Sequence, residues 1–148
     1  MINRIFKNVC VTGAGSGIGR AIAIAMSNQG YNVTCADINL KQANETLEII
    51  LNSNGSGISI ETDVTKINDI ENMILKTVKQ FGTIDILVNN AGVTRTSNIM
   101  DLTEKDWDWI HNVNAKGTFF CLQIAADQMI KQNKGGRTVS YTHLRAHE

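Results

Sequence analysis

The residues best suited to chemistry stand early in the chain, in the run Thr12-Gly13-Ala14-Gly15-Ser16-Gly17-Ile18-Gly19. The apolar run Lys7-Asn8-Val9-Cys10-Val11-Thr12 leads into it, and a helical pattern from Gly17 to Gln29 leads out. A glycine-rich turn between a strand and a helix lets a pyrophosphate approach the backbone and take N–H groups from the helix N-terminus. A Cβ at Gly13, Gly17 or Gly19 would hold such a group away. The competing reading is a turn that merely packs tightly. Against it stands Asp37, eighteen positions after Gly19 at the end of the next strand-like run. A carboxylate there accepts the ribose hydroxyls of an adenosine and repels a 2′-phosphate. No Arg or Lys occupies Ser16 or Ile38, so NAD is expected over NADP, with Ser16 and Ile18 completing the turn.

The elements that must position these residues alternate. After the first strand and helix, Gly30 sits at a helix C′ position, and Asn32 to Asp37 forms a second strand. Asn39 with Gln42 opens a helix carrying Leu40, Ala43, Leu47, Ile50 and Leu51, and Asn52 to Gly57 is a turn by composition. Ile58 to Thr62 is a third strand. Ile67, Ile70, Ile74, Val78 and Phe81 then mark an amphipathic helix, and Ile84 to Asn89 a fourth strand. Thr103 with Asp106 opens a long helical region to about Gln132, broken by Gly135-Gly136. Strand–helix alternation with short loops implies an α/β fold: a doubly wound parallel sheet of the Rossmann type, strand order 3-2-1-4.

Composition bounds the function. The 148 residues include 43% hydrophobic residues, which excludes wholesale disorder, and the length suits one domain or part of a larger one. Fourteen basic and fourteen acidic residues cancel, so neither nucleic acid nor a membrane surface is an expected partner. No apolar run approaches the roughly 20 residues that span a bilayer, and the first residues lack a secretory apolar core. Cys10, Cys35 and Cys121 are widely spaced and odd in number, which reads as reduced, buried thiols of a cytoplasmic protein; no metal site is expected, since there is no CxxC or Cys/His pair.

The glycine spacing Thr-Gly-x-x-x-Gly-x-Gly resembles that of the short-chain dehydrogenase/reductase family, and three further motifs agree. Asp63-Val64 after the third strand is similar to the family's adenine-contacting pair. Asn89-Asn90-Ala91-Gly92 after the fourth is similar to the motif that stabilises the central sheet and lines the cofactor through Asn90, Ala91 and Gly92. Asn114, within Asn112-Val113-Asn114-Ala115-Lys116-Gly117, matches the helix Asn that helps hold the family's proton-relay water. On its own chemistry, an Asn in mid-helix is mildly unfavourable unless its amide finds a partner. The resemblance runs from about Val9 to Arg137. It implies an oxidoreductase moving a hydride between nicotinamide and a carbonyl or alcohol carbon, acting on a small molecule as a homodimer or homotetramer. The alternative from another class is a dinucleotide sensor on the same fold. Trp107, Trp109, Phe119 and Phe120 read as helix packing, and His111 as a surface or packing histidine.

In that family a Ser follows the fifth strand and a Tyr-x-x-x-Lys comes about a dozen residues later. Neither is found here. Tyr141 and Arg145 have the spacing but fall too early, and Arg does not replace Lys. Ser140 lacks a strand pattern around it. Val139 to Glu148 reads as the translation of GTC TCT TAT ACA CAT CTC CGA GCC CAC GAG, which resembles a transposase-based sequencing adapter. Residues from about Thr138 are therefore expected to be a non-native tail on the first half or so of a dehydrogenase. Such a tail should pack loosely or form only a short fifth strand, leaving the fourth strand without its proper partner.

Overall fold

The structure is a computed structural model and describes residues 7–141. Arg145 of the Tyr141/Arg145 spacing lies outside the described residues. Five parallel strands form one sheet in the order β3-β2-β1-β4-β5. They are β1 (Asn8–Thr12), β2 (Asn32–Asp37), β3 (Ser56–Glu61), β4 (Ile86–Asn89) and β5 (Arg137–Ser140). The turn expected over Asn52 to Gly57 is shorter, because Ser56 and Gly57 already pair with Asn32 and Val33.

Alternating side chains along the strands divide the core between the two faces. Val9, Val11, Val33 and Cys35 point to one face, where they meet Ala23 of α1 (Gly17–Asn28) and Ala43 and Ile50 of α2 (Leu40–Asn52). Cys10, Ala36 and Leu87 point to the other. There they meet Ile70, Met73 and Ile74 of α3 (Ile67–Phe81) and Cys121, Ala125 and Met129 of α5 (Thr118–Lys131). Each fully buried aliphatic side chain contributes about 1.5–3 kcal/mol, so burial on both faces fixes the two-sided architecture. Asn39 caps α2 by accepting from the Gln42 amide at 3.1 Å, and Gly30 adopts the left-handed backbone (φ +85°) that ends α1.

The long helical region is one rod with an internal change of pitch. α4 (Glu104–His111) starts at a full capping box between Thr103 and Asp106, and a π-helical turn over Asn112–Gly117 passes into α5. Trp107, Trp109 and Phe119 do not pack as expected: they are 64%, 46% and 55% exposed, and only Phe120 of the four lies against the core. The sheet-facing positions of α5 are taken by Cys121, Ala125 and Met129 at i, i+4 and i+8, which leaves Phe119 on the outer side. Ile67, expected in the α3 stripe, is 43% exposed, while Met73 and Thr77 are buried.

Two expectations about the end of the chain give way. The outer edge of β4 is paired: Ile86 to Asn89 match Arg137 to Ser140 one for one, so the order extends to 3-2-1-4-5. Ser140 thus stands at a strand end, and its hydroxyl is 3.5 Å from the Asn89 amide. The pairing is made by backbone groups. β5 is exposed along its whole length, so it satisfies the ladder of β4 without adding to the core.

Candidate functional site

The site forms at the carboxyl edge of the sheet, where the strands release their loops. The turn after β1 is held from three sides. Thr12 is its hub: its hydroxyl accepts the backbone N–H groups of Asn90 and Ala91, both at 3.1 Å. The Asn90 amide donates to the carbonyls of Thr12 (3.1 Å) and Gly13 (3.3 Å), so the loops after β1 and β4 are sewn together. Nothing in the local sequence marks Thr12 for this role, because its partners lie 78 and 79 residues away.

Two of the three motif glycines are required for a different reason than expected. A Cβ on Gly13, which has φ +67°, would lie 2.9 Å from the Asn90 amide nitrogen; one on Gly19 would lie 2.0 Å from the Gly13 carbonyl oxygen. These glycines let protein approach protein. Gly17 differs: at φ +51° it has nothing within 4 Å of where a Cβ would sit. It is the first residue of α1, whose leading N–H groups have no intrahelical acceptors. Ser16, the N-cap in extended conformation, makes no capping hydrogen bond from its side chain. Ile18 is 48% exposed on the same first turn. An open glycine face at an uncapped helix N-terminus suits a pyrophosphate, so the residues present fit a dinucleotide.

Beside this opening, Asp37 is already oriented. One carboxylate oxygen accepts the Gly15 N–H at 2.8 Å and the other accepts the Asn39 N–H at 2.9 Å. Arg20, which no local sequence pattern singles out, reaches the same turn from α1. It donates to the Gly15 carbonyl and pairs with Glu45 at 3.1 Å, while its Nε donates to Thr46 Oγ1 at 3.0 Å. The Thr46 hydroxyl donates in turn to the Ala14 carbonyl at 2.8 Å.

After β4, Gly92 leads into a loop whose Val93 is bound by Asn114. Asn114 Oδ1 accepts the Val93 N–H and its Nδ2 donates to the Val93 carbonyl, both at 2.8 Å. The partner that a mid-helix Asn requires is therefore backbone, and Asn114 sits in the π-helical turn. Further along, Asp106 is buried and receives the Thr103 hydroxyl and N–H together with the guanidinium of Arg95. The Thr103 hydroxyl and amide, aided by Arg95, hold the Asp106 carboxyl below the usual carboxylate range.

Asp63 follows Thr62, whose N–H donates to the Asp37 carbonyl at 2.8 Å. The Asp63 carboxylate accepts from the Thr65 amide (3.0 Å) and hydroxyl (2.7 Å) and pairs with Lys66 at 3.3 Å. Burial pushes its pKa up, but Thr65 and Lys66 outweigh burial and hold it below the ordinary value. Val64 is buried against Gly117, where a Cβ would lie 2.9 Å from Val64 Cγ2. His111 stacks on Trp107 with ring centroids 3.9 Å apart, as a packing histidine would, and its Nδ1 lies 2.9 Å from the Trp107 carbonyl. It borders a shallow apolar groove of about 530 Å³ with Ile110, Ala115, Phe119 and Leu122.

Comparison with known proteins bears on the family and the fold. The sequence pattern described as short chain dehydrogenase matches residues 7–142. The chain is 38% identical over 133 residues to the 3-oxoacyl-[acyl-carrier-protein] reductase FabG of Staphylococcus aureus strain Mu50, covering 89% of this chain and 54% of that protein. It is 43% identical over 129 residues to an uncharacterized oxidoreductase of Thermotoga maritima, covering 87% of this chain and 51% of the relative. The crystal structure of a short-chain type dehydrogenase/reductase from Mycobacterium marinum superposes with a TM-score of 0.88 at 29% identity, covering 90% of this chain and 54% of that one. The chain spans about half the length of the curated relatives it matches.

Proposed function

Because the chain belongs to the short chain dehydrogenase family, we propose that the whole protein is a nicotinamide-dependent oxidoreductase and that these residues form its dinucleotide-binding half. When bound, the nicotinamide supplies or accepts the hydride at a carbonyl or alcohol carbon. Gly17, with the first N–H groups of α1, would receive the pyrophosphate, and Asp37 the adenosine ribose in preference to a 2′-phosphate. Asp63 and Val64 would border the adenine. Asn90, Ala91, Gly92 and Asn114 fix the loops on which the nicotinamide end rests. The observation that carries this reading is the open, uncapped start of α1 beside an oriented carboxylate.

The substrate we propose is a small carbonyl or alcohol, with an oxoacyl group, as the similarity to an oxoacyl reductase suggests, or a polyol. Neither tyrosine of this chain is followed by Lys four residues later: Cys35 follows Tyr31 and Arg145 follows Tyr141. We therefore expect these 148 residues to bind NAD(H) without turning it over. The exposed aromatic face of α4 and α5 supports association of the whole protein into a dimer or tetramer, and three buried free thiols support a reducing compartment, the cytoplasm. Fluorescence titration of the folded chain with NADH tests the core of the reading. Saturable binding that weakens in Asp37→Ala is expected; a folded chain without saturable binding overturns it.

A further inference from the structure

Two polar side chains grip the backbone of Gly15 in the glycine turn, and a third holds one of the two. Asp37 takes the Gly15 N–H, Arg20 takes the Gly15 carbonyl, and Glu45 holds the Arg20 guanidinium from the outside. The packing there is close: a Cβ on Gly15 would lie 2.8 Å from both Asp37 Oδ2 and Gln42 Cβ, and the Gln42 carbonyl is 3.4 Å from Arg20 Nη2. The guanidinium is 30% exposed and the Glu45 side chain 47% exposed, so neither is locked in the core.

A cation next to the carboxylate that is proposed to bind the ribose bears directly on which dinucleotide is accepted. Guanidinium is the side chain best matched to a phosphate, through two parallel N–H donors. An Arg near the ribose accommodates a 2′-phosphate where an acidic residue excludes it. Here both are present and both contact Gly15. The absence of a cation at Ser16 and Ile38 is therefore an incomplete account of selectivity.

Resting on the proposed dinucleotide reading, we infer that Arg20 is a second specificity-determining residue, a phosphate-reading cation held out of use by Glu45. Asp37 repels the 2′-phosphate, and Glu45 together with the Gly15 carbonyl engages the guanidinium that could attract it. Removing Asp37 alone relieves repulsion without supplying attraction. Removing both carboxylates frees one edge of the guanidinium for the phosphate, while Thr46 still anchors Nε.

The test is a set of fluorescence titrations with NADH and NADPH on the full chain, read as the ratio of the two affinities. Asp37→Ser should bring the ratio near one. Adding Glu45→Gln should shift it about tenfold further toward NADPH, the effect of about one charge-assisted hydrogen bond. Adding Arg20→Gln to that pair should return the ratio to the Asp37→Ser value, and Arg20→Lys should keep part of the shift. The ratio is internally normalised, so a loosened turn that weakens both ligands alike does not imitate the result. An unchanged ratio on adding Glu45→Gln, or a shift that survives Arg20→Gln, overturns the inference while leaving NADH binding intact. A folded wild-type chain that binds neither dinucleotide overturns the underlying reading as well.

Discussion

Asn114 commits both ends of its carboxamide to a single residue, accepting from the Val93 N–H and donating to the Val93 carbonyl at 2.8 Å each. Gln132 does the same with Ile84, accepting its N–H at 2.9 Å and donating to its carbonyl at 3.0 Å. The chain segment that contains β4 is thus clamped before and after the strand by two amides from one helical rod. The Asn89 amide adds a third tie, to the Thr118 carbonyl at 3.3 Å.

Asn114→Ala should leave the Val93 N–H and carbonyl without partners and destabilise the chain by about 1–3 kcal/mol. Urea denaturation measures the loss, and hydrogen exchange should show a faster Val93 amide. Unchanged exchange there would mean that the loop after β4 is held by something else.

The motif glycines should separate by phenotype. Gly19→Ala drives a Cβ into the Gly13 carbonyl and should prevent folding of the turn. Gly17→Ala meets open space and is opposed only by its positive φ, a strain of about 1–2 kcal/mol. It should fold and lose NADH affinity. Thermal melting and NADH titration of the two variants, run side by side, distinguish them; a Gly17→Ala variant with full affinity would argue against a ligand at that face.

Acid stability should follow Asp63 and Asp106. Thr103 and Arg95 lower the Asp106 pKa, and for Asp63 the burial that raises it is outweighed by Thr65 and Lys66. A folded-state pKa below the unfolded value of about 3.9 means stability that is complete above roughly pH 5 and is lost as pH falls through the folded pKa values. Unfolding free energy measured from pH 6 to pH 3 should decline, and Asp106→Asn should flatten the decline. A profile that Asp106→Asn leaves as steep would assign the acid sensitivity elsewhere.

The thiols should behave in the opposite sense. Burial pushes Cys35 and Cys121 up to about 12, and burial raises Cys10 further, with the Thr77 hydroxyl only partly opposing. Their contribution to stability is present below the unfolded pKa near 8.5 and is lost as pH rises toward 12. At pH 8 a thiol reagent should therefore label none of the three in the native chain and all three in denaturant. Rapid native labelling would show that a thiol is accessible.

The purified chain should reduce no member of a panel of carbonyl compounds with NADH, and Tyr141→Phe should change nothing. Turnover abolished by that substitution would make Tyr141 a proton donor after all.

The strands, their order up to β4 and the glycine turn were readable because apolar spacing reports burial directly: Val9 and Val11 alternate with Cys10, and Asp37 ends a buried run. Partnerships across the fold leave no such local trace. Thr12 and Asn90 are ordinary strand-end residues until the topology sets β1 beside β4. Arg20 looks like a solvated helix residue until α2 brings Glu45 and Thr46 to it. A short fifth strand is among the expectations, but its residue-for-residue pairing with β4 is not legible, for a related reason. Backbone groups alone make that ladder, and Arg137-Thr138-Val139-Ser140 carries no apolar stripe to announce it.

The π-helical turn at Asn112–Gly117 sets the rotational phase of everything after it. Hydrogen bonds to i+5 instead of i+4 take up one residue beyond what a regular helix uses, and one residue is worth about 100° of rotation. Cys121, Ala125 and Met129 face the sheet because the wide turn absorbs that residue. Forcing the turn into a regular α-helix with every residue kept would swing this trio sideways by about 100°, whereas deleting one residue within it would let a regular helix preserve the trio's facing. A segment that resembles a local irregularity thus acts as the indexing step for the whole rod.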